Sequence, residues 1–321
     1  MPSVLDALAA HSDNPSAFLA LNSGNEFFRD ERLGGTCAYR RAGRRHVLQF
    51  GGPFTAPDRR AELLESFVAH AGRHLVAVQL QRADAELYAL HGFTVNQIGA
   101  SYAVDLGRFT LRGSRFVRLR NKISRARRAG LEVTEVHHGD DRAELDAVDD
   151  RWLRDKGRHV KELRFLVGQR TGPLQPHRRL FAGRVDGRTV GYINYSPVYG
   201  SRPGWLHDLS RRHPDAPPGV MEALNATVME RFAADGAGWL HFGFTPFTGL
   251  ADENELPVAS RAFTRFVHLL ADHGNAIYPA ASQLEYKQKW APHTVLPEYI
   301  AFLGRPRLGA VWRLLRAANA V

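Results

Sequence analysis

Cysteine is almost absent from this chain of 321 residues: Cys37 is the only one, so no internal disulfide can form and a cysteine-rich zinc site is excluded. That usage fits a reducing, cytoplasmic setting. No uninterrupted run of about eighteen mostly apolar residues occurs, which removes a membrane-spanning helix from the expected structure. The opening residues, MPSVLDALAAHSDNPS, lack a basic stretch followed by a long apolar core and do not resemble a secretory signal. Fifteen histidines are present without a His-Glu-x-x-His pair, and the adjacent His137 and His138 cannot place both rings on one face of a helix or strand, so no metal centre is expected. The Gly-x-Ser-x-Gly elbow, the GxxxxGK phosphate loop and the GxGxxG dinucleotide turn are all missing, and Cys37 has no evident base beside it, so covalent and nucleotide chemistry of those kinds lack support.

One stretch lacks acids altogether. From Arg108 to Arg128 there are nine basic residues and no carboxylate, whereas the whole chain carries 43 basic against 33 acidic residues, a net charge of +10. Local charge therefore points to an anionic partner. Phe116, Leu119 and Ile123 recur at helical spacing beside Arg115, Arg118, Lys122 and Arg125, which predicts a helix with one packed and one basic face, stopped by Gly130. Like charges at those spacings repel one another unless an anion neutralises them.

With 44% hydrophobic and 24% charged residues the composition is that of a globular chain, long enough for two domains. The first segment predicts a hairpin around Ala42 and Gly43, a Gly-Gly-Pro loop, a helix near 61–71 and the strand LVAVQL. The second repeats that order. A hairpin turns at Asp186-Gly187, GWLHDLS is a further strand, GVMEALNATVMERFAADG a helix and WLHFGF another strand. Between them, DDRAELDAVDDRWLRDKG predicts an amphipathic helix with Leu145, Val148 and Trp152 inward. The repetition predicts one α+β module used twice, with boundaries at 1–107, 108–130 for the basic connector, and 131–321. The basic helix is expected to wall a cleft between the modules. The last segment, RLGAVWRLLRAANAV, is short, basic and amphipathic; it is expected to pack on the protein body, with a lipid surface as its alternative.

Three stretches carry candidate chemistry. His207-Asp208-Leu209-Ser210-Arg211-Arg212 puts an acid and guanidiniums where chain leaves sheet, and taken alone Asp208 and Arg211 read as a structural ion pair. The loop HPDAPPG leads into a helix start whose free N–H groups are expected to suit a phosphate or carboxylate. In LEYKQKWAP, Lys287 and Lys289 alternate with Tyr286, Gln288 and Trp290, so an extended segment would send both ammonium groups the same way.

Several of these pieces, together with NSGNEFF, FGGP, HGFTVNQIGASYAVDLGRFTLRG, RLRNKISRARRAGL, DLSRRHPDAPPGVMEAL and LHFGFTPFTGL, occur in an order that resembles a known family. Over about residues 14–305 the chain is similar to the C-terminal aminoacyltransferase region of phosphatidylglycerol lysyltransferases and alanyltransferases, and to free-standing relatives that use aminoacyl-tRNA to modify small metabolites. The resemblance implies tandem GNAT-like modules, each a mixed sheet flanked by helices, joined by the basic helix. It implies catalytic roles for Asp208, Arg211, Lys287 and Lys289, with Tyr195, His207, Arg212 and Tyr286 lining the pocket. Arg115, Arg118, Arg120, Lys122, Arg125, Arg127 and Arg128 are then the tRNA-binding set, aminoacyl-tRNA is the co-substrate, and no other cofactor is needed.

The sequence also departs from the family. Ser210 stands where methionine is usual, Tyr286 and Trp290 replace phenylalanines, and no counterpart of the membrane-embedded flippase region is present. These departures direct the expected acceptor toward a hydroxyl or amine of a small metabolite. A membrane lipid such as phosphatidylglycerol is the alternative acceptor, and acyl-CoA-dependent N-acetyl transfer the second alternative.

Overall fold

The computed structural model describes residues 3–72, 74–137, 139–156, 165–273 and 280–319; His138 of the histidine pair and Gly157 at the end of one predicted helix lie outside them. The first part runs α1 (Val4–His11), β1 (Glu26–Asp30), β2 (Gly35–Ala42), β3 (His46–Phe54), α2 (Arg60–Ala71), β4 (Leu75–Leu80), α3 (Arg82–Leu90) and β5 (Phe93–Asp105). The basic stretch follows as α4 (Val117–Arg128). The second part comprises β6 (Glu132–Val136), α5 (Arg142–Lys156), β7 (Arg179–Val185), β8 (Arg188–Val198), β9 (Gly204–Arg212), α6 (Val220–Ala234) and β10 (Trp239–Pro246). It ends with α7 (Arg261–His273), α8 (Ala280–Gln288), β11 (Thr294–Leu303) and α9 (Leu308–Ala317).

Among the described residues the strands form one sheet in the order β1-β2-β3-β4-β11-β5-β10-β9-β8-β7-β6. This order has an internal symmetry. Each part ends its antiparallel run in a parallel pair, β3 with β4 and β9 with β10, spanned by the crossover helices α2 and α6. Each then sends its last strand into the other's half: β11 lies between β4 and β5, and β5 pairs with β10. Pairing of β5 with β11, from Ala103 opposite Thr294 to Phe93 opposite Leu303, joins the halves. The result is a mixed α+β architecture in which two similarly ordered halves share one sheet.

Local sequence accounts for the elements. Asp186 and Gly187 take φ of 50° and 74°, so β7 and β8 meet through a two-residue turn with Val185 opposite Arg188, the geometry that matches strand twist. Phe116, Leu119, Ile123 and Ala126 are the buried residues of α4 and its entry, as the spacing predicts. Alternation along β4 sends Leu75 and Ala77 to the α2 and α3 side, and Val76 and Val78 to the α1 and α9 side. Helices α4, α6 and α8 share the first of these faces through the core around Leu224 and Trp290, while α5 and α7 lie on the second. The basic helix packs against α6, on one face of the second module.

Candidate active site

The parallel pairing of β9 with β10 lasts only from Gly204 opposite Trp239 to Leu206 opposite His241. Beyond it β10 shifts register against β5 between His241 and Phe244, and Gly243 takes φ of 68° in the bulge, a conformation that favours glycine. β9 carries an irregularity of its own: Asn194 pairs with Leu209 and Tyr195 with His207, which leaves Asp208 as the extra residue. Two bulges facing one another part the strands. His207 and Asp208 border the opening on one side, Gly243 and Phe244 on the other. The corresponding place in the first module is closed: Arg60 pairs with Asp84 against Gly52, and Asn14 donates to the carbonyl of Gln79.

His207 turns toward α6 and α8. Its ring lies 5.5 Å from Tyr195, 5.9 Å from Phe242 and 6.0 Å from Tyr286, and burial holds it neutral with a pKa near 4. Tyr195 is fully buried and its hydroxyl donates to Asn225 Oδ1 at 2.8 Å. The ring Nδ1 of His207, the Tyr286 hydroxyl and the Trp290 indole N–H are buried without a hydrogen-bond partner among the described residues. Tyr286 and Trp290 interact with one another, so the His207 ring nitrogen is the buried polar atom beside the opening that a polar ligand atom could meet.

The segment LEYKQKWAP is not extended. Helix α8 runs to Gln288, and Tyr286 and Trp290, four residues apart, share a face with ring centroids 6.2 Å apart. The polar–aromatic alternation therefore belongs to a helix end, and the two lysines part company. Lys287 is 5% exposed; its Nζ donates to the carbonyls of Gly243 at 2.7 Å and Phe244 at 3.1 Å, and lies 5.8 Å from the Tyr102 ring. Burial lowers its pKa to about 7, against a small opposing pull from Glu298. Lys289 instead reaches Glu222 Oε1 at 3.5 Å, the same oxygen that Lys122 of α4 approaches at 3.1 Å. Glu222 thus ties the basic helix to the motif that carries Lys287.

Asp208 faces the other side of the sheet, and its expected pair with Arg211 does not form. Its partners are Ser196, whose hydroxyl donates to it, and Arg178, whose Nε is 3.5 Å away. The β9 bulge and the β7–β8 register, with Arg179 opposite Tyr195, bring Arg178 beside Ser196 and Asp208, while Arg211 stacks 4.0 Å over the Trp152 ring and lies 4.0 Å from Asp149. The side chains of Asp208 and Arg178 are 0% and 2% exposed, so burial raises the carboxyl to about 6 despite the guanidinium. A side chain at Gly168 would collide with this carboxylate. Arg212 points to solvent and does not line the opening. A separate cavity of about 340 Å³ lies on the α5 side, lined by Val136, Leu145, Arg170, Gln175 and Leu180, and holds none of the predicted site residues.

Two further expectations change. The start of α6 is not an open anion cradle, because Gly219 abuts the backbone carbonyl of Lys122 so closely that a side chain there would collide with it. Of the predicted tRNA-binding set, Arg115, Arg118, Arg125, Arg127 and Arg128 are exposed, but Arg120 turns back to donate to the carbonyls of Leu111 and Gly113 at 2.6 and 2.7 Å. Lys122 is engaged by Glu222. Sequence reasoning missed Arg178 and Glu222, since an arginine before a strand and an acid in a first helical turn are ordinary. Asn225 within ALNATVM and Glu298 within TVLPEYIAF were detectable as polar residues interrupting apolar faces; both are 0% exposed, and burial raises Glu298 to about 8.

The two halves share one sheet, and it opens between the parallel strands β9 and β10 of the second half. The family model described as phosphatidylglycerol lysyltransferase, C-terminal, matches residues 6–302, and the chain belongs to that family. It is 26% identical over 261 residues to a phosphatidylglycerol lysyltransferase of Bacillus subtilis (strain 168), an alignment covering 77% of this chain and 29% of that protein. It is 23% identical over 272 residues to a lysylphosphatidylglycerol biosynthesis bifunctional protein of Gordonia bronchialis, covering 81% of this chain and 24% of that one. The chain thus spans less than a third of either relative's length. The solved structure of L-PGS from Bacillus licheniformis superposes with a TM-score of 0.80 at 22% identity, over 99% of this chain and 95% of that one, which shows the shared fold.

Proposed function

We propose that this chain transfers an aminoacyl group from aminoacyl-tRNA to a phospholipid such as phosphatidylglycerol. The single observation that carries the reading is the opening between β9 and β10, with Lys287 hydrogen-bonded at its β10 border and the exposed arginines of α4 tied to the Lys287 segment through Glu222; the Asp208 side chain lies at the β9 border on the opposite face of the sheet. The names of the relatives favour the lipid over the small-metabolite acceptor that the sequence suggested. Acyl-CoA use has less in its favour, since the α6 start that would cradle a pyrophosphate is occupied by the backbone of α4.

An aminoacyl ester is already activated, so the work left is positioning and charge stabilisation. Acceptor hydroxyl attacks the ester carbonyl, negative charge develops on its oxygen, and the ribose hydroxyl leaves. Lys287, titrating near neutrality, is suited to protonate the leaving oxygen or to stabilise the oxyanion. Asp208 has a raised carboxyl pKa and is oriented by Arg178, and in this reading it takes the acceptor's proton from an acceptor that enters from the face of the sheet opposite α8. The exposed arginines of α4 track acceptor-end phosphates without choosing the amino acid.

The deciding assay incubates the protein with a pool of labelled aminoacyl-tRNAs, phosphatidylglycerol vesicles and an aqueous metabolite extract, then identifies the labelled product by mass. Label in the lipid fraction is expected. Label confined to the aqueous fraction would return the acceptor to a small metabolite, and an intact ester pool would end the transferase reading.

A further inference from the structure

The molecule has two basic surfaces of different kinds. Helix α4 presents its arginines with Val117 as the one large apolar side chain exposed among them. Helix α9 begins beyond the family-matched residues, which end at 302. From Tyr299 to the C-terminus the sequence holds four arginines, Arg305, Arg307, Arg313 and Arg316, and no acid.

The inner side of α9 is anchored: Ala310 is buried, and Val311, Leu314 and Ala317 pack on the core with Leu48 and Phe302. Its outer side carries Leu308 and Trp312, 75% and 52% exposed and one helical turn apart. Arg305, Arg313 and Arg316 are exposed around this pair and form no ion pair among the described residues. The surface continues onto the first module. Arg313 lies against Gly43 in the turn that carries exposed Arg44 and Arg45, and Arg307 Nη1 is 2.8 Å from His74 Nδ1. His74 in turn packs 5.1 Å from His46. Burial, then His74, Arg313, Arg307 and Arg45, hold the His46 ring below its ordinary pKa.

We propose that this face docks on an anionic phospholipid bilayer, with Leu308 and Trp312 entering the headgroup region and Arg305, Arg313 and Arg316 meeting lipid phosphates. A nucleic-acid backbone would reward the arginines and leave the leucine in water, whereas a bilayer interface rewards both, and tryptophan favours that depth. Placement agrees: α9 packs on β2 and β3 of the first module, α4 on α6 of the second, on opposite faces of the sheet, so a bilayer and a tRNA need not compete. The inference rests on the lipid-acceptor reading for its purpose and names the surface that brings the enzyme to that acceptor.

The test is sedimentation of the whole chain with vesicles of phosphatidylcholine alone or mixed with phosphatidylglycerol. The wild type should bind the mixed vesicles, more weakly as salt rises, and leave the neutral ones unbound. Leu308→Ser with Trp312→Ser should weaken binding about tenfold or more. Arg305→Gln, Arg313→Gln and Arg316→Gln together should weaken it by roughly a hundredfold, at about fivefold each. All five side chains are at the surface, so both variants should keep the wild-type melting temperature and transfer to short-chain phosphatidylglycerol dispersed in detergent. Failure of the wild type to bind mixed vesicles, or wild-type binding by the Leu–Trp variant, overturns the docking surface. Loss of tRNA binding by the arginine variant with vesicle binding intact reassigns the surface to RNA and overturns it equally. Vesicle binding without transfer to any lipid by the wild type would instead defeat the acceptor reading and leave the docking surface standing.

Discussion

Lys287 Nζ lies 2.7 Å from the carbonyl oxygen of Gly243, at the bulge where β10 leaves its parallel partner. Burial lowers the pKa of this ammonium, held by two backbone carbonyls, to about 7.

Replacing Lys287 with Met should lower transfer by about 100- to 1000-fold while tRNA binding persists, measured by single-turnover ester cleavage beside filter binding. Lys287→Arg should not restore the rate, because a guanidinium stays charged and is planar. Stability should report the same group. Its folded pKa is depressed, so its contribution is fully present above the ordinary 10.5 and is lost as pH falls through about 7. The difference in urea stability between wild type and Lys287→Met should therefore change across that window and level off below it.

Asp208 carries the opposite sign. Its folded pKa is raised, so the associated stability is present below the ordinary 3.8 and is lost as pH rises through about 6. Activity should rise over the upper part of that range if the carboxylate is the base, and Asp208→Asn should abolish the rise. Arg178→Ala should move the limb to higher pH and cost about 3 kcal/mol at neutral pH by leaving a buried carboxylate without its cation. Arg211→Ala should leave the limb in place. A pH–rate profile of the two arginine variants separates the observed partner from the one expected from chain proximity.

For the basic helix, Arg118→Ala with Arg125→Ala should raise the Michaelis constant for aminoacyl-tRNA and reduce the salt slope by about 1.4 to 1.8, taking 0.7 to 0.9 per lost phosphate contact. Arg120→Ala should behave otherwise. It removes the hydrogen bonds to the carbonyls of Leu111 and Gly113, so a loss of about 1–3 kcal/mol in thermal or urea stability is expected with little change in salt slope. An unchanged slope in the first variant would take α4 out of the tRNA site.

Much of the local structure was legible in advance. The duplicated order of hairpin, strand, helix and strand, the Asp186-Gly187 turn and the packed face of α4 all follow from spacing and turn chemistry within a few residues. LEYKQKWAP reads equally as a strand because the spacing of four from Tyr286 to Trp290 satisfies both a helical turn and two strand periods. Nearness in sequence joins Asp208 to Arg211, although the segment leading into β7, two strands away in the sheet, supplies its cation Arg178.

What the sequence determined by itself was periodicity, turn chemistry, an acid-free basic helix and the motifs of a family, since each is written in neighbouring residues. Tertiary structure alone decided that β5 and β11 exchange modules, that bulges part β9 from β10, that Arg178 meets Asp208, and that Lys287 turns inward while Lys289 joins Lys122 on Glu222. Those relations depend on strand order and register between distant segments, and local residue spacing carries no information about either.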